Sequence, residues 1–235
     1  MKQWYSQLGQ DKFISEKIFK NKKNGFFVDV GAHDGFFISN TFSLERDFEW
    51  SGVCIEPSES SREIFANRKC KLVSGYCVSE EEHSGNLVRF RQFMPNEFSQ
   101  TLFEDLNEDS FFPKSLESGE NFQDKLKKCK TLNEILIDAS APKDIDYISV
   151  DTQGCEWLVL KDFPFEKWNV KTFTVANDMF QGGKKEKRRG RIKALMEKNN
   201  YVLNRIFSLQ HLDEKKWDED FQDEVMEDLY IKQDN

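Results

Sequence analysis

Strand-length apolar runs alternate with segments of helical character along most of this chain, and that alternation limits what it can fold into. Residues 25–31 (Gly-Phe-Phe-Val-Asp-Val-Gly) read as a buried strand ending in glycine. Residues 36–48 can form a helix with Phe37, Ile38, Phe42 and Leu44 on roughly one side. A second strand, 51–56, stops at Pro57, and Ser58 or Ser60 can cap a helix running to Asn67. Residues 70–78 read as a third strand, 144–151 as a fourth, 170–176 as a fifth, 200–206 as a sixth and 229–232 as a seventh. Helices are expected over 131–137, 155–163 and 184–198. Leu87 to Phe93 alternates with period 2 and reads as an exposed or edge strand. Strands alternating with helices give an α/β domain, a largely parallel sheet with helices on both faces.

The middle, Pro95 to Lys130, shows no firm period and reads as loop plus a short helix, a variable loop over about 94–130. The segment Asp213 to Asp228 is rich in carboxylates around Trp217, Phe221 and Val225 and reads as a solvated insertion over about 208–228. Otherwise the 235 residues suit one domain. With only six alanines and 22 phenylalanines, aromatics must supply much of the core. That content excludes a disordered chain. A net charge of −8 argues against a general nucleic-acid coat. No run approaches the length of a spanning helix, and the first residues lack an apolar leader core. Five cysteines with no Cys-x-x-Cys spacing make a disulfide framework or zinc site unexpected, so a reducing cytoplasmic setting is the expectation.

Ligands of such folds bind outside the carboxyl ends of the strands. The first such loop is Asp29-Val30-Gly31-Ala32-His33-Asp34-Gly35, where Gly31 and Gly35 permit a sharp turn and close backbone approach. Glu56, 25 residues beyond Gly31, ends the second strand, where a carboxylate can accept from both hydroxyls of a ribose. The loop lacks the Gly-x-Gly-x-x-Gly of a dinucleotide site, and Asp34 would repel a pyrophosphate. It tolerates S-adenosylmethionine, which carries a sulfonium and no phosphate. A Walker-type Gly-Lys-Ser/Thr is absent.

Residues 26–41 (FFVDVGAHDGFFISNT), 50–57 (WSGVCIEP) and 146–156 (DYISVDTQGCE) resemble the motifs of FkbM-type methyltransferases, and Ser6-Gln7-Leu8-Gly9-Gln10-Asp11 is similar to an element often preceding them. The resemblance spans roughly residues 5–206. It implies a class I, Rossmann-like, seven-stranded fold and S-adenosylmethionine-dependent O-methyl transfer to a hydroxyl of a sugar, glycan or other small metabolite. It implies cofactor contacts from Asp29, Gly31, Ala32, His33, Asp34, Gly35, Asn40, Thr41, Glu56, Pro57 and Asp151. Gly75 and Tyr76, at the end of the third strand, are expected to border the adenine.

The attacking hydroxyl needs a base or a metal. Asp151, at the end of the fourth strand, is the candidate, with Glu156 five residues on. The helix macrodipole alone also favours a glutamate in a first turn, as at Glu156. Asp151, Asn177 and Asp178 together would suit Mg²⁺ or another hard divalent cation, although Asn and Asp are also ordinary turn residues. Many family members carry glutamate where Ala176 and Gln153 stand here, so two carboxylates are missing near the site. Those departures keep a non-catalytic cofactor-binding module in view. Residues 184–193 hold seven cations in ten, either a solvated helix face or an anion-binding one, which keeps RNA ribose methylation as the rival reading.

Overall fold

A computed structural model describes residues 2–58, 66–94, 100–102, 121–177, 183–208 and 225–233. The main sheet has seven strands: β1 (Phe26–Val30), β2 (Ser51–Glu56), β3 (Lys71–Ser74), β8 (Asp144–Val150), β9 (Asn169–Ala176), β10 (Tyr201–Ser208) and β11 (Val225–Lys232), in the order β10-β11-β9-β8-β1-β2-β3. All neighbours pair in parallel except β11, which runs antiparallel to both β9 and β10. The remaining strands, β4 (Tyr76–Ser79), β5 (Leu87–Met94), β6 (Gln100–Leu102) and β7 (Asn121–Thr131), form a second sheet in the order β4-β7-β5-β6.

The apolar runs are unbroken because the parallel strands are covered on both faces. Alternate residues of β1 part company: Val28 and Val30 join Ile148, Val150 and Val175 under the helices α3 (Leu132–Asp138), α4 (Glu156–Leu160) and α5 (Gly183–Lys198). Phe27 joins Tyr147 and Leu229 on the opposite face. There α1 (Gln10–Phe13), its π-helical continuation Ile14–Ile18, and α2 (Phe42–Phe48) supply Ile14, Leu44 and Phe48. Thr131 and Glu134 close a capping box on α3. The sheet is the class I arrangement expected from the sequence.

Several local expectations are corrected. The third strand breaks at Gly75 (φ +81°), so β3 stays in the main sheet while β4 starts the second. Residues 121–130, part of the region read as loop plus a short helix, belong to the strand β7, which runs on to Thr131, and β5 lies between β7 and β6 rather than at an edge. The helix expected from Phe36 begins only at Phe42, because Ile38 adopts a positive φ of 47° and leaves Phe36, Phe37 and Ile38 exposed. The acidic segment ends inside the sheet, with Glu227 and Asp228 buried in β11. Most of the helix expected over 58–67, and the short helix of the middle region, lie outside the described residues.

Candidate active site

Strand order reverses between β1 and β8, and the loops leaving these two strands meet there, where a doubly wound sheet takes its ligands. Gly31 and Ala32 both donate backbone N–H to the Ile55 carbonyl, at 3.0 and 3.1 Å, while the Asp151 N–H donates to the Val30 carbonyl at 2.9 Å. Gly31 has φ +89°, and a Cβ built on it would stand 1.8 Å from the Asp151 carbonyl oxygen. A side chain here is excluded twice, by conformation and by contact with backbone that cannot swing away. Gly31→Ala is therefore expected to destabilise the fold by about 2–3 kcal/mol, at the upper end for one strained backbone position, and to weaken cofactor binding. Urea unfolding measures the first effect; wild-type stability would contradict the contact.

Side chains set the shape of the loop beyond Gly31. Asp34 Oδ1 accepts the N–H groups of Phe36 and Phe37, each at 2.8 Å. Ser39 Oγ accepts those of Thr41 and Phe42, at 3.2 and 3.1 Å, and so opens α2. His33 takes a left-handed φ of 52° and Gly35 one of 76°. His33 donates its backbone N–H to Glu56 Oε2 at 2.8 Å, and Ser58 donates to Glu56 Oε1 at 2.8 Å. Glu56 is buried, and burial pushes its carboxyl above the ordinary range. Each carboxylate oxygen has a second lone-pair site, so the pair can still receive ribose hydroxyls. Pro57 follows at the strand end, and Gly75 donates its N–H to the Glu56 carbonyl at 3.3 Å. Tyr76 has the Lys130 ammonium 4.4 Å from its ring centroid, so a cation already covers one ring face.

Below the loop lies a group that the sequence did not flag. Arg68 is buried and donates to the Gly35 carbonyl (2.7 Å), Thr41 Oγ1 (3.0 Å) and Glu45 Oε2 (2.8 Å). Thr41 in turn donates to Asp29 Oδ2 at 2.6 Å. Desolvation raises the Asp29 carboxyl, and the charge of Arg68 opposes that rise. Asn40 donates to Ser149 Oγ and to Glu227 Oε1, both at 3.1 Å.

Across the rung, Asp151 is half-buried and accepts from Gln153 Nε2 at 3.0 Å. Gln153 and Gly154 turn the chain with φ of 54° and 109°. Glu156 is fully buried, and its Oε1 accepts the N–H groups of Thr152 (2.9 Å) and Gly154 (3.1 Å). Arg188 Nη1 lies 3.8 Å from Glu156 Oε2 and donates to the Gly154 carbonyl at 2.9 Å. Burial raises the Glu156 carboxyl, and the charge of Arg188 works against it. Glu156 thus closes the turn that presents Asp151. Cys155 is buried, which pushes its thiol well up and makes it a poor nucleophile.

Asn177, just past β9, is buried, and its side-chain nitrogen has no hydrogen-bond partner among the described residues. Asp178, the third member of the expected cation set with Asp151 and Asn177, lies outside the described residues. Among the described residues no group of three or more His, Cys, Asp or Glu could hold a metal ion. The basic run is partly internal: besides Arg188, Arg189 makes a two-pronged ion pair with the buried Asp228, at 2.7 and 2.9 Å. No helix among the described residues is long and apolar enough to cross a membrane.

The family model described as the Methyltransferase FkbM domain matches residues 29–203, which hold the loop, Glu56 and Asp151. The chain belongs to the FkbM methyltransferase family. Comparison with the curated proteins gives no match. Family membership makes this a methyltransferase and implies S-adenosylmethionine as the methyl donor. The site suits that group: the backbone approaches closely at Gly31, Glu56 keeps acceptor sites, and the half-buried carboxylates of Asp34 and Asp151 suit a sulfonium. The match stops short of β11 and begins after α1, although Glu227 of β11 meets Asn40 of the loop and Gln10 of α1 meets Glu227.

Proposed function

We propose that this protein transfers the methyl group of S-adenosylmethionine to a hydroxyl oxygen of a sugar, glycan or other small metabolite. Bound S-adenosylmethionine supplies an electrophilic methyl on sulfur. The chain's own part is to bind that group along Gly31–Thr41 and Glu56, to aim the acceptor hydroxyl in line, and to take its proton. The observation that carries the reading is Asp151: a half-buried carboxylate at the switch point, held by Gln153 across from Gly31. Its carboxylate accepts the proton as the new C–O bond forms and the S–C bond breaks. Glu156 serves by holding the turn beneath it.

RNA ribose methylation is less well supported. Arg188 is buried and Arg189 half-buried, and both of these cations of the basic run are engaged with partners within the fold. A divalent cation on Asp151, Asn177 and Asp178 would be the alternative to a base, and one measurement separates the two. The base reading expects transfer to persist in a chelator; loss restored by Mg²⁺ would favour the cation. The decisive experiment is labelled-methyl transfer to a panel of glycans, hydroxylated metabolites and capped RNA, beside calorimetry with S-adenosylmethionine and NAD. Labelled hydroxyls on glycans or metabolites are expected. Binding of NAD without S-adenosylmethionine would overturn the cofactor, and labelling of RNA alone would overturn the acceptor class.

A further inference from the structure

The carboxyl end of the sheet carries a second carboxylate that the family match does not reach. Glu227 of β11 stands opposite Ala176, the last residue of β9. Val30, Val150 and Val175 are paired across β1, β8 and β9, so Gly31, Asp151, Ala176 and Glu227 follow on one rung. Two strand spacings, about 10 Å, separate Glu227 from Asp151.

Glu227 is only 4% exposed. Its Oε1 accepts from Asn40 Nδ2 at 3.1 Å, and the same amide donates to Ser149 Oγ. Its Oε2 accepts from Gln10 Nε2. The Thr174 hydroxyl adds a third side-chain hydrogen bond and is itself bonded to Tyr147 Oη at 2.6 Å. One carboxylate therefore joins α1, the loop leaving β1, β9 and β11. A buried charge is a poor way to gain stability, since apolar replacement is often neutral or better. Here the two amides that meet it come from separate elements, and one belongs to the cofactor loop.

We propose that Glu227 is a positioning residue of the cofactor site, fixing Asn40 and with it the loop from Gly31 to Thr41 in the shape that receives the methyl donor. The proposal rests on the S-adenosylmethionine reading above.

The charged groups around Glu227 leave it without an ion pair among the described residues. Asp29 of β1 and Asp228 of β11 both disfavour its charge, and Asp228 is itself paired with Arg189 of α5. From α1, Asp11 accepts from Tyr5 N, Ser6 Oγ and Ser43 Oγ. Arg68 lies with Glu45 and Asp29 beneath the loop. Arg205 of β10 lies over the rings of Phe13 and Phe207. Tyr147 of β8 is neutral, its hydroxyl pushed well up by burial. Burial accordingly raises the Glu227 carboxyl to about 7. When ionised, it offers two acceptor oxygens to two amide donors. When protonated, it turns a hydroxyl towards donors and one amide loses its partner. Cofactor affinity should therefore rise as the pH passes upward through about 7. Fold stability should move the other way. The folded carboxyl holds its proton to higher pH than the unfolded one, so this contribution is present at low pH and lost as pH rises through about 7.

The test compares wild type, Glu227→Gln, Asn40→Asp and the double exchange. Calorimetry with S-adenosylmethionine across that pH range is paired with hydrogen exchange of the loop amides without cofactor. Each single change sets like groups against each other and is expected to cost about tenfold in affinity, within the usual coupling of neighbouring groups. Each should also speed loop exchange, and Glu227→Gln should flatten the pH profile. In the double exchange the polarity reverses. The new amide at 227 donates to the new carboxylate at 40 and accepts from Gln10, so most of the affinity and protection should return. Unchanged affinity, pH profile and loop exchange in Glu227→Gln would overturn the proposal, as would a double exchange no better than the worse single. If wild type fails to bind S-adenosylmethionine, the functional reading falls, and the loop exchange rates still decide the role of Glu227.

Discussion

Replacing Arg68 with alanine is expected to abolish measurable S-adenosylmethionine binding and to lower unfolding stability by about 3–5 kcal/mol, the range for removing one partner of a buried ion pair. The guanidinium reaches three places in the cofactor loop and α2: the Gly35 carbonyl, Thr41 Oγ1 and the Glu45 carboxylate. It also lies over the rings of Phe27 and Phe42, with centroids 5.2 and 5.6 Å away. Its loss leaves the buried Asp29 and the half-buried Glu45 without this cation, the Gly35 carbonyl without this donor, and a void beneath the loop. Arg68→Lys should recover only part of the loss. An ammonium carries the charge but cannot serve three directions as a planar fork does. Urea unfolding and calorimetry on both variants decide the point. Wild-type affinity in Arg68→Ala would show that the loop holds its shape without the guanidinium.

Arg68 also shows where reading the sequence stops. β1, β2, β8 and β9 were legible because strands covered on both faces must be apolar throughout. Gly31, Glu56 and Asp151 were legible because they stand just past or at the ends of those strands, where ligands of this fold bind. β7 was not. Its Lys125-Leu126-Lys127-Lys128-Cys129-Lys130 is held by backbone pairing, with β5 up to Lys128 and with β4 from Lys128 on, and buries Cys129 while exposing Leu126, so no apolar period marks it. The split of the third strand turns on one residue, Gly75, and nothing local announces that the chain changes sheets there. Arg68 sits between the helix expected to end at Asn67 and the strand expected from Cys70, and a lone cation at such a junction gives no sign that it is buried. Glu227 was hidden by the acidic run before it. One signal was available: Val225-Met226-Glu227-Asp228-Leu229-Tyr230-Ile231 sets two carboxylates inside a strand-length apolar run. Charges so enclosed are either paired or placed for use. Asp228 is paired with Arg189, and Glu227 meets amides of α1 and the loop.

Asp151→Asn is expected to reduce methyl transfer by about 10²–10⁴-fold, the usual contribution of a positioned proton acceptor, with a far smaller loss of affinity for S-adenosylmethionine, from the one negative charge removed near the sulfonium, and stability close to wild type. The asparagine oxygen can still accept from Gln153 Nε2. The contacts with Val30 and Gly31 are made by the Asp151 backbone, which the change does not touch. The capacity to take a proton is removed, together with one negative charge. Glu156→Gln should behave in the opposite way. The new side chain keeps an oxygen for the N–H groups of Thr152 and Gly154, but Arg188 loses the charge 3.8 Å away. Stability should fall, and turnover should fall only as far as the turn under Asp151 loosens. Measuring kcat, calorimetric affinity and unfolding on both variants separates the roles. If Asp151→Asn turned over normally, the proton would have to leave by another group. If Glu156→Gln lost turnover as completely as Asp151→Asn at unchanged stability, Glu156 would have to act on the substrate itself, against its burial beneath the loop.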